Sequence, residues 1–407
     1  MSNSFYSYLS NFIFVEEGKK SRTVLEKVYV AGKKIPRFIN EFWTSKQRQA
    51  HSLHEISYRA CFKPQLPRFF IERLTVKGDV VYDPFSGRGT TILEAALLGR
   101  NVIANDVNPL SKILSRPRLF VPTLEEVEQR LHDIPPLSSV VSEIDLSMFY
   151  HSRTLKEILA LRSHLQKKNN DAVDSWIRMV ATNRLTGHSK GFFSVYTLPP
   201  NQATSPESQR KINAKRKQQP DYRDTTAIIL KKSKQLMSDV TDEVRSALKH
   251  IGKRAKFLTS DARRTKTIPS SSVQLTVTSP PFLDVVQYAQ DNWLRCWFNG
   301  IDAEKVGKNI TMSRTIEEWC SVMGEVFLEL YRITKREGWI AFEVGEVRNG
   351  TIALDEFVVE LGLQAGFECI GIMVNTQQFT KTANIWGISN NAKGTNTNRI
   401  VIFQKQK

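Results

Sequence analysis

The segment from residue 79 to residue 100 constrains the fold more than any other part of the chain. It reads "DVVYDPFSGRGTTILEAALLGR". The apolar run "VVY" is typical of a short buried strand, and "TTILEAALLGR" has helical spacing and ends at Gly99, a residue type that often terminates helices. Between them, Asp83 closes the strand, and the loop carries Gly87 and Gly89. A strand, a glycine-rich loop and a helix in this order predict a ligand site at the carboxyl end of the strand.

Apolar runs of strand length alternate with helical stretches along much of the remaining chain. The runs with strand character are "NVIANDV", "VQLTV", "GWIAFEVG", "ECIGIMV" and "RIVIFQK". The longest helical stretches are "IEEWCSVMGEVFLELYRITKR" and "ALDEFVVELGLQAG". This alternation predicts an α/β fold with a doubly wound sheet that has helices on both faces.

The alternation is interrupted in the middle of the chain, which divides it into three parts. Residues 1–110 hold the N-terminal segment and the glycine-rich loop, residues 111–257 form an insert, and residues 258–407 complete the sheet. The insert contains the helical stretch "RTLKEILALRSHLQKK" and an irregular middle from Arg184 to Asp224. Because helical patterns flank that middle, the segment is interpreted as an inserted, largely helical module and not as a linker.

The charge of the chain indicates a polyanionic partner. The formal net charge is +17 and the isoelectric point is about 9.7. Residues 151–260 alone contain 22 Lys and Arg against 9 Asp and Glu, a net charge of +13. A basic excess concentrated in one segment favours nucleic acid binding over a generally solvated surface.

Several other classes of protein and site are not expected. The four cysteines are scattered, and His51, His54 and Glu55 match no zinc spacing, so neither a disulfide framework nor a metal site is predicted. No apolar run reaches the roughly 18 residues of a membrane span. The first residues lack the pattern of a signal peptide, so a cytoplasmic location is expected.

The glycine-rich loop is expected to bind a nucleoside cofactor. Asp83 is placed to accept from an amine or a ribose hydroxyl, and Asp106, about 20 residues after Gly87, suits a ribose diol. Ile92 stands where a dinucleotide site would have its third glycine, which argues against a pyrophosphate. S-adenosylmethionine fits these constraints, and a plain strand–helix turn is the alternative.

A second motif, "VTSPPF" at residues 277–282, ends an apolar run with a serine, two prolines and an aromatic ring. Together with "DPFSGRGTT" it resembles the DNA amino-methyltransferases, specifically the N4-cytosine type found in restriction-modification methylases. In that family the first motif binds S-adenosylmethionine and the second holds the target base. Adenine enzymes usually carry Asp or Asn at the position of Ser279. The resemblance implies a Rossmann-like methyltransferase sheet.

The resemblance also implies site residues. The predicted catalytic residues are Ser279, Pro280, Pro281 and Phe282, and the predicted cofactor-binding residues are Asp83, Pro84, Phe85, Gly87, Gly89, Thr90, Asp106, Asp261, Lys63 and Pro64. Ser279 Oγ and the Pro280 carbonyl would accept hydrogen bonds from the cytosine amine, and Phe282 would stack on the extruded base. Lys63 and Pro64 would lie over the methionine end of the cofactor. Asp261 would bond the adenine amino group, with a helix cap as the alternative.

The sequence therefore predicts a site-specific methyltransferase that acts on cytosine N4 in double-stranded DNA. The insert is the expected target-recognition module, although it precedes "LTSDARR" (258–264), whereas the family usually places that domain after the corresponding segment. A separate cognate restriction endonuclease and a monomer on DNA are also expected. The alternatives are an adenine-N6 enzyme, an RNA methyltransferase and a catalytically silent DNA-binding protein of the same fold. Cytosine-C5 methylation is excluded because no cysteine follows a proline.

Overall fold

A computed structural model describes most of the chain. The described residues are 2–16, 19–43, 50–58, 61–137, 142–167, 170–198, 203–281, 288–309, 313, 315–347, 352–376 and 397–406. The strands among them are β1 (Ile13–Glu16), β2 (Lys19–Arg22), β3 (Val24–Val30), β4 (Lys33–Asn40), β5 (Val80–Asp83), β6 (Asn101–Asn105), β7 (Lys256–Leu258), β8 (Val273–Thr278), β9 (Thr334–Val344), β10 (Glu346–Val347), β11 (Ile352–Ala353), β12 (Glu368–Thr376) and β13 (Thr397–Gln404).

Helices occur before, between and after these strands. They are α1 (Ser2–Ser10), α2 (Gln65–Leu74), α3 (Thr90–Leu97), α4 (Leu110–Ser115), α5 (Leu124–His132), α6 (Ser152–Leu165), α7 (Ala172–Arg184), α8 (Pro206–Arg216), α9 (Thr225–Leu236), α10 (Asp242–Gly252), α11 (Tyr288–Asn299), α12 (Ala303–Asn309), α13 (Ile316–Ile333) and α14 (Leu354–Gln364). Ser52–His54 and Arg116–Leu119 form short 3₁₀ helices. Within the described residues, no helix has the length and hydropathy that a membrane span requires.

One large sheet organises the described part of the chain. Its strand order is β3-β4-β12-β13-β9-β8-β5-β6-β7. Strands β9, β8, β5, β6 and β7 pair in parallel, and β13 runs antiparallel to both β9 and β12. Parallel strands bring their carboxyl ends to one edge, so the loops after β5, β6 and β8 meet there.

The two faces of the sheet are buried in separate cores, as a doubly wound arrangement requires. Along β5, Val81 packs into one core and Tyr82 into the other, and both are almost fully buried. Helices α13 and α14 cover the Tyr82 face with side chains such as Phe327 and Val358. Helices α2 and α3 cover the Val81 face. The predicted α/β class with helices on both faces is confirmed.

The insert continues the core on the Val81 face. Its helices α6, α7 and α9 contribute Ile158, Trp176 and Ile229 to the same hydrophobic cluster as Val81. The indole N–H of buried Trp176 donates to Ser233 Oγ at 3.0 Å and so joins α7 to α9. The insert is therefore packed onto the sheet, while the boundaries at 110/111 and 257/258 stay predictions.

The secondary structure agrees with the sequence predictions in most of the chain and differs in two places. The structure contains the strand predicted for "GDVVYDP" and the helix predicted for "RTLKEILALRSHLQKK". It also contains the four strands and two helices that were predicted after residue 258. The prediction of an irregular middle from Arg184 to Asp224 was wrong in part, because α8 lies inside it. Strands β3 and β4, which extend the sheet at one edge, were not predicted.

Two buried arginines hold the loop after β5 in place through hydrogen bonds to backbone carbonyls. Arg118 is fully buried and donates to the backbone carbonyls of Arg88 and Leu53. Arg88 Nη1 donates to the Ile56 carbonyl at 2.7 Å. These bonds connect the loop to the segment at residues 50–58. Gly89 has φ +74°, and a Cβ built there would lie 2.5 Å from Ser115 Cβ.

We predict that Gly89→Ala lowers the free energy of unfolding by about 2–4 kcal/mol. Roughly 1 kcal/mol reflects the positive φ, and the remainder reflects the clash with Ser115. Gly32→Ala is the matched control, because Gly32 has φ +73° with no atom within 4 Å of the built Cβ. Urea denaturation of both variants measures the difference, and equal losses would contradict the tight contact at Gly89.

Candidate active site

Asp83 ends β5 and is buried within the glycine loop, which we define as residues 83–89. Its Oδ1 accepts hydrogen bonds from the Phe85 backbone N–H at 3.1 Å and from Thr278 Oγ1 at 2.7 Å. Burial raises the pKa of the Asp83 carboxyl to about 7, against the opposing effect of these hydrogen bonds. Its charge therefore changes near neutral pH.

Asp106 follows β6, the neighbouring parallel strand, and holds the glycine loop from the other side. Its Oδ2 accepts from the Gly87 N–H at 2.8 Å, and its Oδ1 accepts from the Asn108 N–H at 2.9 Å. Burial raises its pKa to about 6. Two carboxyl groups with raised pKa values thus flank the loop at the carboxyl edge of the sheet, where cationic or hydroxylic groups of a ligand would find acceptors.

The glycine loop has the backbone conformation that its sequence predicts. Gly87 and Gly89 both have positive φ, +48° and +74°. The ring of Tyr58 lies beside Gly87, since a Cβ built on that glycine would be 3.5 Å from Tyr58 Cε1. Thr90 is buried and accepts from Arg88 Nε at 3.1 Å. Pro84 is buried and Phe85 is half-buried at the start of the same loop.

The two sequence motifs meet because β5 and β8 are parallel neighbours. Thr278, the last residue of β8, is 195 positions from Asp83 and bonds to it directly. One residue earlier, the carbonyl of Val277 accepts from Thr91 Oγ1 at 3.1 Å at the start of α3. Ser279 is the next residue after Thr278, so it lies beside the glycine loop.

Glu343 on β9 contacts the second motif, and the sequence did not predict this contact. Its carboxylate accepts a hydrogen bond from the Ser279 hydroxyl and another from Asn398 Nδ2 at 3.0 Å. Glu343 is buried, and burial raises its pKa above the usual range despite both bonds. Since the Ser279 hydroxyl hydrogen is directed at Glu343, the serine lone pairs are left to accept from a ligand. A lone acid in the apolar run "GWIAFEVG" was the available signal.

Trp319 on α13 holds the proline turn of the second motif. Its indole N–H donates to the Pro281 carbonyl at 3.0 Å, and the ring is buried. Pro280 is buried, and Pro281 is half-buried. Trp319 belongs to an amphipathic helix, so nothing in the local pattern distinguished it from an ordinary core residue. Phe282 lies outside the described residues.

The remaining predicted cofactor residues lie near the same edge of the sheet. Lys63 and Pro64 immediately precede α2, which packs against α3 and β8. Lys63 is half-buried, and burial lowers the pKa of its amine. Asp261 follows β7, but its carboxylate is engaged by Arg263, whose guanidinium lies 2.7 Å away. That ion pair lowers the pKa of Asp261 and competes with any ligand.

Part of the insert reaches the helix that follows the second motif. The Ala203 N–H donates to the Asp291 carbonyl at 3.0 Å, and the Trp293 indole N–H donates to the Thr204 carbonyl at 3.2 Å. Both hydrogen bonds join the segment just before α8 to the first half of α11. The basic insert is therefore attached beside the candidate site and not at a distant part of the fold.

The end of α8 carries three exposed cations, Lys215, Arg216 and Lys217. The Arg216 guanidinium lies 3.8 Å from the centre of the Tyr196 ring. A cation stacked on an aromatic ring is held in place yet keeps its charge at the surface. This part of the insert is suited to contact a polyanion.

Known DNA methylases are similar to part of this chain, and the stretch matched by the family model includes the glycine loop. A DNA methylase family model matches residues 10–112. The Type II methyltransferase M.BsoBI of Geobacillus stearothermophilus is 34% identical over 122 residues, which is 29% of this chain and 24% of that protein. The Type II methyltransferase M.MvaI of Kocuria varians is 29% identical over 116 residues, 28% of this chain and 24% of that protein. The matched stretches thus span about a quarter of these relatives.

Solved structures show only a loose likeness. A putative DNA modification methylase from Thermus thermophilus, complexed with S-adenosyl-L-methionine, has 17% sequence identity and a TM-score of 0.23. The match covers 36% of this chain and 54% of that one.

The family match includes Asp83, the glycines of the loop and Asp106, the residues that form the carboxyl edge described above. It ends at residue 112, at the start of the insert and well before Ser279, so it leaves the N4 or N6 type of amino group unresolved. Residues 10–112 of this chain thus match the DNA methylase family, over 103 of its 407 residues.

Proposed function

We propose that this protein methylates the exocyclic N4 of cytosine in double-stranded DNA. The observation that supports this most directly is the position of Ser279, which follows β8 beside the glycine loop with its hydroxyl hydrogen bonded to Glu343. An acceptor fixed in this way beside a cofactor loop suits the capture of an amine. The serine before the two prolines, in place of Asp or Asn, favours cytosine over adenine.

S-adenosylmethionine is the cofactor of this family, and when bound it supplies an electrophilic methyl group on a sulfonium. The donor groups of this molecule, an ammonium and a ribose diol, match the two carboxyls that flank the loop. In this proposal Asp83 and Asp106 accept from those donors, while Pro84, Phe85, Gly87, Gly89 and Thr90 shape the loop. Lys63 and Pro64 lie over the methionine end. Asp261 reaches the adenine amine only if it releases Arg263.

The chemistry requires that the amine become a nucleophile. The N4 lone pair of cytosine is delocalised into the ring, and acceptors that draw its hydrogens out of the ring plane return density to nitrogen. Ser279 Oγ and the Pro280 carbonyl are the proposed acceptors, and proline offers no N–H that would compete. Trp319 occupies the Pro281 carbonyl and so fixes the turn that presents the Pro280 carbonyl.

Glu343 gives the reaction a route for the proton. As the new nitrogen–carbon bond forms, an N4 proton passes to Ser279 Oγ while the serine hydroxyl proton passes to Glu343. The buried carboxylate, whose pKa is raised, is a better proton acceptor than an exposed one. The two residues therefore act as one unit in this proposal.

DNA recognition is assigned to the basic insert at residues 111–257, with the segment before α8 close to α11. The target base must leave the duplex, and Phe282 is the residue proposed to stack on it. A cognate restriction endonuclease, a monomeric state on DNA and a cytoplasmic location remain predictions from the sequence. Adenine-N6 or RNA methylation and silent DNA binding are the outcomes that the tests below would reveal instead.

We predict that S-adenosylmethionine binds more tightly as pH rises from about 5 to about 7, an interval in which the α-amino group of the ligand stays protonated. The pKa of Asp83 is raised to about 7, so its carboxylate form, which accepts from the ammonium, grows over this interval. Asp83→Asn should weaken binding and remove most of the pH dependence, with a smaller change left at lower pH from Asp106, whose pKa is about 6. Calorimetric titration across this range measures both effects.

Asp83→Asn should weaken cofactor binding but stabilise the ligand-free protein. The stability of the ligand-free variant therefore serves as the control for correct folding. The pKa of the Asp83 carboxyl is near 4 in the unfolded chain and about 7 in the folded protein. The folded protein therefore loses stability as the pH rises from about 4 to about 7. Asp83→Asn removes this loss, on the order of 4 kcal/mol. A variant that binds cofactor with wild-type affinity at every pH would remove Asp83 from the cofactor site.

We predict that Ser279→Ala lowers the single-turnover rate roughly a hundred- to thousandfold, as expected when one positioned acceptor is lost. Glu343→Gln should also slow transfer, and the double variant should be no slower than Ser279→Ala alone, because residues that act as a unit are not additive. Nucleoside analysis of methylated DNA should show N4-methylcytosine. If the product is N6-methyladenine, the target base is adenine and not cytosine. If Ser279→Ala has the wild-type rate, Ser279 has no catalytic role.

Trp319→Phe tests whether the proline turn matters for catalysis. Loss of one buried hydrogen bond should cost about 1 kcal/mol of stability. Trp176→Phe is the matched control, since that indole also makes one hydrogen bond, to Ser233, between two helices of the insert. Both variants should lose similar stability, but only Trp319→Phe should slow transfer, by roughly tenfold. Equal rates in the two variants would show that the turn holds its shape without the indole.

A further inference from the structure

An open cleft of about 630 Å³ lies between the insert and the end of α11. Its described lining consists of three cations, three amides and one glycine: Arg162, Lys167, Arg178, Gln166, Asn170, Asn299 and Gly300. No Asp or Glu side chain is among these lining residues. A second cleft of about 270 Å³ shares Asn170 and Arg178 with the first and adds Lys112 and Arg116 at its rim.

Arg178 is the unusual residue of this cleft. It lies in the middle of α7 and is half-buried, and burial lowers the pKa of its guanidinium. Within the described part of the chain, the guanidinium makes no hydrogen bond or ion pair, and only Asp174, one turn earlier, attracts it electrostatically. That carboxylate is already bonded to Arg130 and His164. A half-buried guanidinium with free donors, in a cleft whose lining residues include no Asp or Glu, is arranged to receive an anion.

The positive charge of some cations in the cleft is accounted for by neighbouring groups of the protein, and that of others is not. Helices α6 and α11 both end at the cleft, and a cation near a helix C-terminus is stabilised by the carbonyl groups there. Arg162 has this role, because its Nε donates to the Trp297 carbonyl at 3.1 Å. It also lies 3.6 Å from Glu143. Lys167 is exposed, and Arg178 is not at a helix end, so the local explanation does not extend to Arg178.

The cleft is connected to the candidate active site through α11. Tyr58 packs beside Gly87, and the Arg295 guanidinium lies 5.7 Å from the centre of the Tyr58 ring. Asn299 is one helical turn beyond Arg295 on α11 and donates to its carbonyl at 2.8 Å. Added along α11, these contacts put the cleft on the order of 20 Å from the glycine loop, a span of about six base pairs along a duplex.

We propose that the cleft around Arg178 binds a backbone phosphate of the substrate DNA within about six base pairs of the target base. The proposal rests on the DNA methyltransferase function proposed above. A phosphodiester supplies the anion that the free guanidinium and Lys167 can bind together, and continuous DNA can reach both this cleft and the active site. The site is distinct from the cations at the end of α8, so DNA would be held at two places on the insert.

The test compares the salt dependence of DNA binding in three single variants. Arg178→Met keeps the length of the buried stem and removes the charge, and Lys167→Ala changes an exposed residue of the same cleft. Lys27→Ala is the control, because it removes one exposed charge on β3, at the far edge of the sheet. The slope of log K against log salt should fall by roughly 0.9 for Arg178→Met. Affinity at moderate salt should fall about tenfold, as for loss of one charged hydrogen bond. Lys167→Ala should act in the same direction, and Lys27→Ala should match the wild type.

A second measurement locates the phosphate. We would prepare a set of duplexes, each with one neutral methylphosphonate at a different position within about six base pairs of the target. The affinity of each duplex is measured for the wild type and for Arg178→Met. One position should weaken the wild type and leave Arg178→Met unaffected. If both cleft variants keep the wild-type slope while the protein still binds and methylates DNA, the inference is wrong and the proposed function survives. If the wild type neither binds nor methylates DNA, the proposed function itself is wrong.

Inorganic phosphate without DNA distinguishes a free ligand from the backbone. If Arg178→Met loses measurable binding of inorganic phosphate while its DNA slope stays at the wild-type value, the cleft serves a small phosphorylated molecule and the DNA assignment is overturned. Melting temperatures of the variants should stay close to that of the wild type. If the melting temperature of Arg178→Met falls strongly, the DNA-binding result for Lys167→Ala decides the test, because Lys167 lies at the surface.

Discussion

The hydrogen bond from Thr278 to Asp83 is the interaction on which the candidate site depends. It joins the ends of two parallel strands whose residues are 195 positions apart in the chain. Asp83 belongs to the loop that is proposed to bind the cofactor, and Thr278 directly precedes Ser279. One 2.7 Å contact therefore sets the distance between the group that would bind the cofactor and the group that would bind the amine. A shift of either strand end would separate the two functions, and catalysis by positioning tolerates little displacement.

The sequence predicted the parts of this arrangement that have a local signal. The strand, glycine loop and helix around Gly87 are encoded by neighbouring residues, and so is the proline turn after Ser279. The prediction failed where partners are distant in sequence. Glu343 and Trp319 contact the motif through the tertiary fold, and their own segments read only as a strand and an amphipathic helix.

The edge strands show a different limit. Most of β3 is exposed, with Leu25, Glu26 and Lys27 all at the surface, so it lacks the buried apolar run that marks a central strand. It forms because β4 supplies backbone partners along its whole length. Helix α8 escaped prediction for a related reason, since it is polar on nearly every side and only Gln209 among its residues is buried. Both elements depend on neighbours more than on their own pattern.

The two arginines beneath the glycine loop decide how short a working fragment of this protein can be. Arg88 and Arg118 are buried, and both donate to carbonyl groups of the segment at residues 50–58. Truncation of the chain after that segment would leave two guanidinium groups in the core without these acceptors. Each orphaned donor would cost about 1–3 kcal/mol. A shortened chain that starts at β5 would therefore have a destabilised glycine loop. The segment at residues 50–58 is thus a structural part of that loop and not an optional extension.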